Sequence, residues 1–261
     1  GKKIRIYIIP FYLFLYMGVD ISPLMENVTK VITFENLMNK HIALDAFNML
    51  YQILASIRGE DGTPLKDHQG RTTSHLAGIL YRSINLLEND IKPIFIFDGP
   101  PHQLKLAEIE RRRAIRHDAT KKFHEAQDLG ETEEAAKFAQ ASSKLDKDMI
   151  EDSKDLLKAL GMPVIEAAQD GEAQAAFLVL KNMAWAVGSQ DYDSFLFGSP
   201  RVVRNLSQSR TRKVKGTTVK VDLEWISLEK TLTENEISRE QLIDIGILIG
   251  VDFFPGVKGF G

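Results

Sequence analysis

Residues 41–57 read HIALDAFNMLYQILASI. HIALD is a short apolar run closed by a carboxylate, which predicts a buried strand ending at Asp45; AFNMLYQILASI then carries apolar residues at helical spacing. The same arrangement returns downstream. Ser74–Glu88 places Leu76, Ile79, Leu80, Ile84 and Leu87 on a helix that leads into a second apolar strand, residues 93–97, closed by Asp98. Working outward, residues 58–71 with their DGTP read as a loop, and residues 103–160 as charged and mostly helical, with a break at Leu129 and Gly130 and a stop at Gly161. A strand at 163–167, a helix opening at Glu172, a strand at 184–187 and an apolar segment at 242–250 continue the alternation. Strands alternating with helices predict an α/β fold with a mostly parallel central sheet flanked by helices, whose ligands gather beyond the carboxyl ends of the strands.

That edge is where the sequence repeatedly places acids. Asp45 and Asp98 follow apolar strands, Asp170 and Glu172 sit at a strand-to-helix turn, Asp191 and Asp193 flank Tyr192 in another such turn, and Asp252 closes the last apolar segment. Any one of them alone reads more readily as a helix cap or turn residue. Together they crowd like charges, which disfavours ionisation unless cations intervene. An all-oxygen donor set without thiolate suits magnesium or manganese. Two such ions would serve an in-line phosphoryl displacement, with Asp45, Asp98, Asp170 and Glu172 around one, Asp191, Asp193 and Asp252 around the other, and Glu172 as a bridge. On an extended strand, Asp191 and Asp193 would point the same way, although a turn there could bring them together differently.

The 261 residues are 44% hydrophobic, enough for one large domain or a domain with a helical appendage, and the net charge of −3 alone does not suggest nucleic acid. The distribution says more. Lys105, Arg111, Arg112, Arg113, Arg116, Lys121 and Lys122 outnumber the acids of their stretch, and residues 201–220 hold Arg201, Arg204, Arg210, Arg212, Lys213, Lys215 and Lys220 with no acid. Lys105 and Arg112 are seven apart, about two helical turns, so a helix starting near Gln103 presents both on one face. There they can stabilise charge developing on a phosphate, or simply stand on a solvated surface. Tyr51 is a core aromatic or a stacking platform for a base, the core reading being favoured by the residues alone. The absence of cysteine removes disulfides and thiolate zinc sites, and the six histidines form no metal-ligand spacing. Residues 1–16, GKKIRIYIIPFYLFLY, are too short to span a bilayer and lack a small-residue cleavage site. Met17 is read as the native start, with an added strand, a surface anchor or a membrane signal as the alternatives for what precedes it.

The motifs MGVD (17–20), IALDAFNMLYQ (42–52), DGTPL (61–65), GRTTSHLAGILYR (70–82), KPIFIFDGP (92–100), DGEAQAA (170–176), SQDYDS (189–194) and GVDFFPGVKGFG (250–261) follow one another along nearly the whole chain. In this order they resemble the flap endonuclease family, the structure-specific 5' nucleases of replication and repair, and Gln174 is closer to its archaeal branch. The resemblance implies a nuclease domain over residues 17–261 after an atypical extension at 1–16. It implies a helical arch over the active site at 99–130 bearing Lys105 and Arg112, and two Mg²⁺ (or Mn²⁺) held by the seven acids. Tyr51 would stack near the scissile nucleotide and the Gly18 backbone would lie beside the site. The implied substrate is branched or 5'-flap DNA, cut to a 5'-phosphate and a 3'-hydroxyl, with possible 5' exonuclease activity, in a monomeric, cytoplasmic and, if archaeal, nucleoid-associated protein with no membrane partner.

Departures from the family pattern fall at Asp170, where glutamate is usual, at Pro100, where a lysine is frequent, and at Phe253, where tyrosine is usual. PGVKGFG resembles the hairpin of a helix-hairpin-helix element over residues 242–261, with Gly256, Gly259 and Gly261 letting amides approach a duplex phosphate, with a potassium ion if the element is completed. That element reads as incomplete, and the later region with the tail that binds a sliding clamp as absent. The alternatives are another repair or recombination 5' nuclease and a non-catalytic DNA-junction-binding protein.

Overall fold

The computed structural model describes residues 18–59, 63–128, 144–206 and 217–259, together with Arg5–Ile6 and Thr211–Val214. HIALD is strand β3 (His41–Asp45), and the sequence around it explains the layers. Alternate residues of a strand point to opposite faces. Ile42 and Leu44 therefore enter one core with Met49, Leu50 and Ile53 of α1 (Ala46–Ser56), Ile79 and Leu86 of α2 (Ser74–Glu88) and Leu157 of α4 (Lys147–Ala159). Ala43 faces the other core, with Ala175, Leu178 and Val179 of α5 (Gly171–Leu180), Phe195 of α6 (Asp193–Leu196) and Leu242 of α8 (Arg239–Ile249). Leu50 and Ile53 are fully buried, each contributing about 1.5–3 kcal/mol of transfer free energy.

The main sheet has seven strands in the order β2-β11-β8-β7-β3-β5-β6. β3 pairs in parallel with β5 (Lys92–Phe97) and β7 (Ala186–Gly188), and β5 with β6 (Val164–Glu166) and β7 with β8 (Arg201–Arg204) continue the parallel set. β11 (Leu223–Ser227) joins β8 and β2 (Lys30–Ile32) antiparallel, an edge the alternation of strands and helices did not reveal. The chain runs from β3 outward to β5 and β6 and then returns to β7 on the other side of β3. The crevice at the carboxyl ends of β3 and β7 is therefore the switch point at which such sheets bind ligands.

Some expected boundaries shift. The strand expected at 163–167 is Val164–Glu166, and that at 184–187 starts two residues later, at Ala186. Two basic residues of the 201–220 stretch are committed to the fold: Arg201 Nε donates to the Trp185 carbonyl at 2.6 Å, and Arg204 NH1 donates to Glu224 at 3.0 Å and to the Tyr192 hydroxyl at 2.6 Å. Arg5–Ile6 pairs antiparallel with β4 (Ile57–Arg58), so this part of the segment before Met17 adds a short strand. The break expected at Leu129 and Gly130 lies outside the described residues. No helix among the described residues is long and apolar enough to cross a membrane.

Candidate active site

Each acid reaches the switch point for a local reason. Asp45 ends β3 and caps α1, its Oδ1 accepting from Asn48 N at 3.0 Å. Asp170 caps α5 in the same way, accepting from Ala173 N at 2.9 Å, which places Glu172 in the first turn of that helix. Asp98 follows β5, and its Oδ1 accepts from Gly171 N at 2.6 Å, tying the end of the strand to the start of α5. Cap and site residue are thus the same residue at Asp45 and Asp170. Asp191 and Asp193 flank a turn, as the sequence placed them: Tyr192 has φ −100° and ψ 0°, and Asp193 opens α6, so this turn and not strand alternation brings both carboxylates to the cavity. Asp252 follows α8 and reaches the same cavity.

Two segments close the acidic end. Gly18 has φ +90°, a left-handed conformation that glycine adopts without strain. A Cβ there would stand 2.9 Å from Asp191 Cβ, so no larger residue fits this approach without displacement. The next residue uses the proximity: Val19 N donates to Asp193 Oδ1 at 2.6 Å. On the opposite side runs α3 (Leu106–Asp128), preceded by a 3-10 turn at Gln103–Lys105. Lys105 and Arg112 do share a face, and they touch the acids directly. Lys105 Nζ is bonded to Asp170 and lies 3.3 Å from Asp252 Oδ2, while Arg112 NH2 donates to Asp252 Oδ1 at 2.5 Å and Arg112 Nε to Glu108 at 2.7 Å.

The cavity between α3 and the sheet edge is about 1080 Å³ and has an acidic floor with an apolar wall that includes Tyr51, Ile109, Ile115 and Phe177. Tyr51 therefore faces the cavity, with the Arg116 guanidinium 5.6 Å from its ring centre, and is not the core aromatic that the residues alone favoured. Phe253 stands edge-on to His102 and Phe197, with Lys105 Nζ 5.1 Å from its ring. Gly256 and Gly259 lie in the turns after α8; Val257 N donates to Leu248 O at 2.8 Å, holding this segment against the helix end. Gly261 is outside the described residues.

Crowding is legible in the acidity of the group. Burial pushes the Asp45 carboxyl up to about 7, with Asp98 adding and the Asn48 amide opposing. Burial raises Asp193 to about 6, against the Val19 amide and with Asp252 adding. Glu172, 9% exposed, is held well above the usual carboxylate range by burial and by Asp193, Asp191 and Asp45. Asp191 is displaced the same way by burial, Asp193 and Asp45. Asp98, the most exposed of the seven acids, also moves upward through desolvation, against the Gly171 amide. For Lys105, burial works against the ammonium, but Asp170 and Asp252 outweigh it and hold its pKa above the ordinary value.

Sequence reading missed the residues that grip these acids from beneath. Ser189 Oγ donates to Glu172 Oε1 at 2.6 Å and accepts from Asp191 N at 3.1 Å. Asn48 Nδ2 donates to Asp191 Oδ2 at 2.9 Å. The available signal was the pair Asn48 and Gln52, one turn apart among the apolar residues of α1.

The donor set fits hard divalent cations: carboxylate oxygens, no thiolate, and mutual repulsion that side-chain cations relieve at Asp170 and Asp252 but leave at Asp45, Glu172 and Asp191. Among the described residues no three acids already stand at ligand spacing around one point. Lys105 and Arg112, reaching into the group, take part of the charge that cations would balance.

Residues 17–119 match the XPG N-terminal domain and residues 161–252 the XPG I-region. Flap endonuclease 1 of Ignicoccus hospitalis is 54% identical over 234 residues, 89% of this chain and 67% of that protein. Flap endonuclease 1 of Pyrococcus furiosus is 48% identical over 248 residues, 94% and 72%. Among solved structures, flap endonuclease-1 from Methanococcus jannaschii superposes with a TM-score of 0.71 at 44% identity, covering 94% of this chain and 74% of that one. The catalytic core of Rad2 in complex with DNA substrate gives 0.70 at 27%, covering 94% and 65%.

Proposed function

This chain belongs to the flap endonuclease family, and on that premise we propose that it cuts 5'-flap and branched DNA with two Mg²⁺ ions held by Asp45, Asp98, Asp170, Glu172, Asp191, Asp193 and Asp252. The observation that carries the reading is the convergence of these acids at one sheet edge, beneath a helix that brings Lys105 and Arg112 to the same place.

When bound, the ions supply a water activated for attack and positive charge on the phosphate. An O–P bond from water forms as the P–O3' bond breaks and O3' takes up a proton, leaving a 3'-hydroxyl on one fragment of the cut strand and a 5'-phosphate on the other. Lys105 and Arg112 place two further cations where negative charge develops. Tyr51 and the exposed apolar residues Leu104, Ile109 and Ile115 offer faces for unpaired bases, which suits single-stranded DNA beneath α3. Gly18 and Val19 restrict where Asp191 and Asp193 stand, so the chain just after Met17 shapes the site without supplying a reacting group. Residues 99–128 serve as the arch, and the segment around Gly256 and Gly259 offers backbone amides to duplex phosphates.

The test is single-turnover cleavage of a labelled double-flap DNA with Mg²⁺, beside a chelated control and a matched single-stranded substrate. Incision near the flap junction only with the metal supports the reading; no incision by folded protein at any Mg²⁺ or Mn²⁺ concentration rejects it.

A further inference from the structure

We infer that Asn48 is a positioning residue for the Asp191 carboxylate, setting where that group stands when divalent cations bind; the inference rests on reading the acidic cavity as a cation-dependent nuclease site. Asn48 lies in the first turn of α1 and is 5% exposed. Its backbone N–H donates to Asp45 Oδ1 at 3.0 Å and its side-chain Nδ2 donates to Asp191 Oδ2 at 2.9 Å. One residue therefore touches acids delivered by two neighbouring strands, β3 and β7, on either side of the switch point.

The Asn48 amide is itself held. Its Oδ1 accepts from Gln52 Nε2 at 2.5 Å, and Gln52 is 4% exposed. Asp191, ionised once cations bind, only accepts, so it sets the Asn48 amide with Nδ2 toward it, and Gln52 Nε2 meets the Oδ1 presented at the other end. A flipped Asn48 amide would set its oxygen against Asp191 Oδ2. Asp191 is thus confined from two directions, by the close approach of the Gly18 backbone to its Cβ and by a hydrogen bond on Oδ2. Donors that hold a metal-binding carboxylate from behind orient it toward the ion, and their loss typically lowers metal affinity about 10–100-fold.

A purely structural role predicts something different. Replacing a buried hydrogen-bonded amide by an apolar group of similar shape shifts stability, whatever the metal content. The experiment titrates Mn²⁺ into the full chain by electron paramagnetic resonance for the parent, Asn48→Leu and Gln52→Met. Melting temperature without metal and the Mg²⁺ dependence of single-turnover flap cleavage are measured alongside.

The expected result is a roughly tenfold weaker Mn²⁺ affinity for Asn48→Leu, and a smaller loss for Gln52→Met, which frees the Asn48 amide but leaves it present. Half-maximal cleavage should move to higher Mg²⁺ by a similar factor. A folded Asn48→Leu that binds Mn²⁺ as tightly as the parent overturns the inference. If Asn48→Leu does not fold, Gln52→Met decides, and unchanged Mn²⁺ affinity there overturns it as well. A parent that binds Mn²⁺ but cuts no flap sinks the nuclease reading while leaving the Asn48 comparison intact.

Discussion

Lys105 is bonded to Asp170, 65 positions further along the chain, and so ties the turn before α3 to the cap of α5. With Arg112 on Asp252, it makes α3 and the acidic floor one ion-paired unit. On the proposed ligand assignment, divalent cations and these side chains would compete for the same oxygens.

Lys105→Ala is predicted to act with opposite signs on binding and chemistry. Removing the competing ammonium should tighten Mn²⁺ binding by up to about fivefold, the equivalent of the ~1 kcal/mol that a part-exposed ion pair contributes. Single-turnover cleavage should fall, because the cation is lost where charge develops. Weaker Mn²⁺ binding by the variant would show that Lys105 supports the metal ligands and does not compete for them.

Arg112→Ala should lower single-turnover cleavage by roughly 10²-fold without unfolding the protein, the scale of losing one preorganised charge donor. Its partners Glu108 and Asp252 both keep contact with solvent, so the substitution leaves no sealed charge. An unchanged rate would reduce Arg112 to a surface ion pair.

Asp170→Glu carries two effects that only the structure separates. The longer side chain gains reach toward a cation, which should raise the rate or tighten the Mg²⁺ dependence modestly. The same residue caps α5 through Ala173 N, and glutamate is a poorer cap, so stability should fall by about 1 kcal/mol. Calorimetric melting and a Mg²⁺ titration on the same protein check both signs, and an unchanged melting temperature would remove the capping argument.

Asp193→Asn should nearly abolish cleavage while leaving flap affinity within a few fold, since the amide oxygen can still accept from Val19 N but the charge is gone. The pH dependence of stability follows from the same carboxylates. Asp45 and Asp193 titrate in the folded state at about 7 and about 6, above the ordinary value of 3.8. The native state therefore binds more protons than the unfolded state in between, and stability present at about pH 4 is lost as pH rises through 6 and 7. The metal-free protein should melt at a lower temperature at pH 8 than at pH 5, and Mg²⁺ should raise the melting temperature more at pH 8. A melting temperature that climbs steadily from pH 5 to 8 without metal would contradict the crowding.

The sequence alone determined the alternation of strand and helix, and with it the end of the sheet at which the acids would gather. HIALD and IFIFD needed only apolar strand patterns and a terminal carboxylate, and the side-chain alternation of β3 assigned Ile42 and Ala43 to opposite cores because a strand has a period of two. Local chemistry also placed Asp45 and Asp170 at helix starts, although not that each would be cap and site residue at once. Long-range geometry decided the rest. Asn48 meets Asp191 across 143 positions, Tyr51 faces the cavity, and Arg201 and Arg204 spend their guanidinium groups on Trp185, Tyr192 and Glu224. None of these leaves a periodic mark, because periodicity records which face of an element is apolar, while the partner of a polar side chain is set by where distant segments pack.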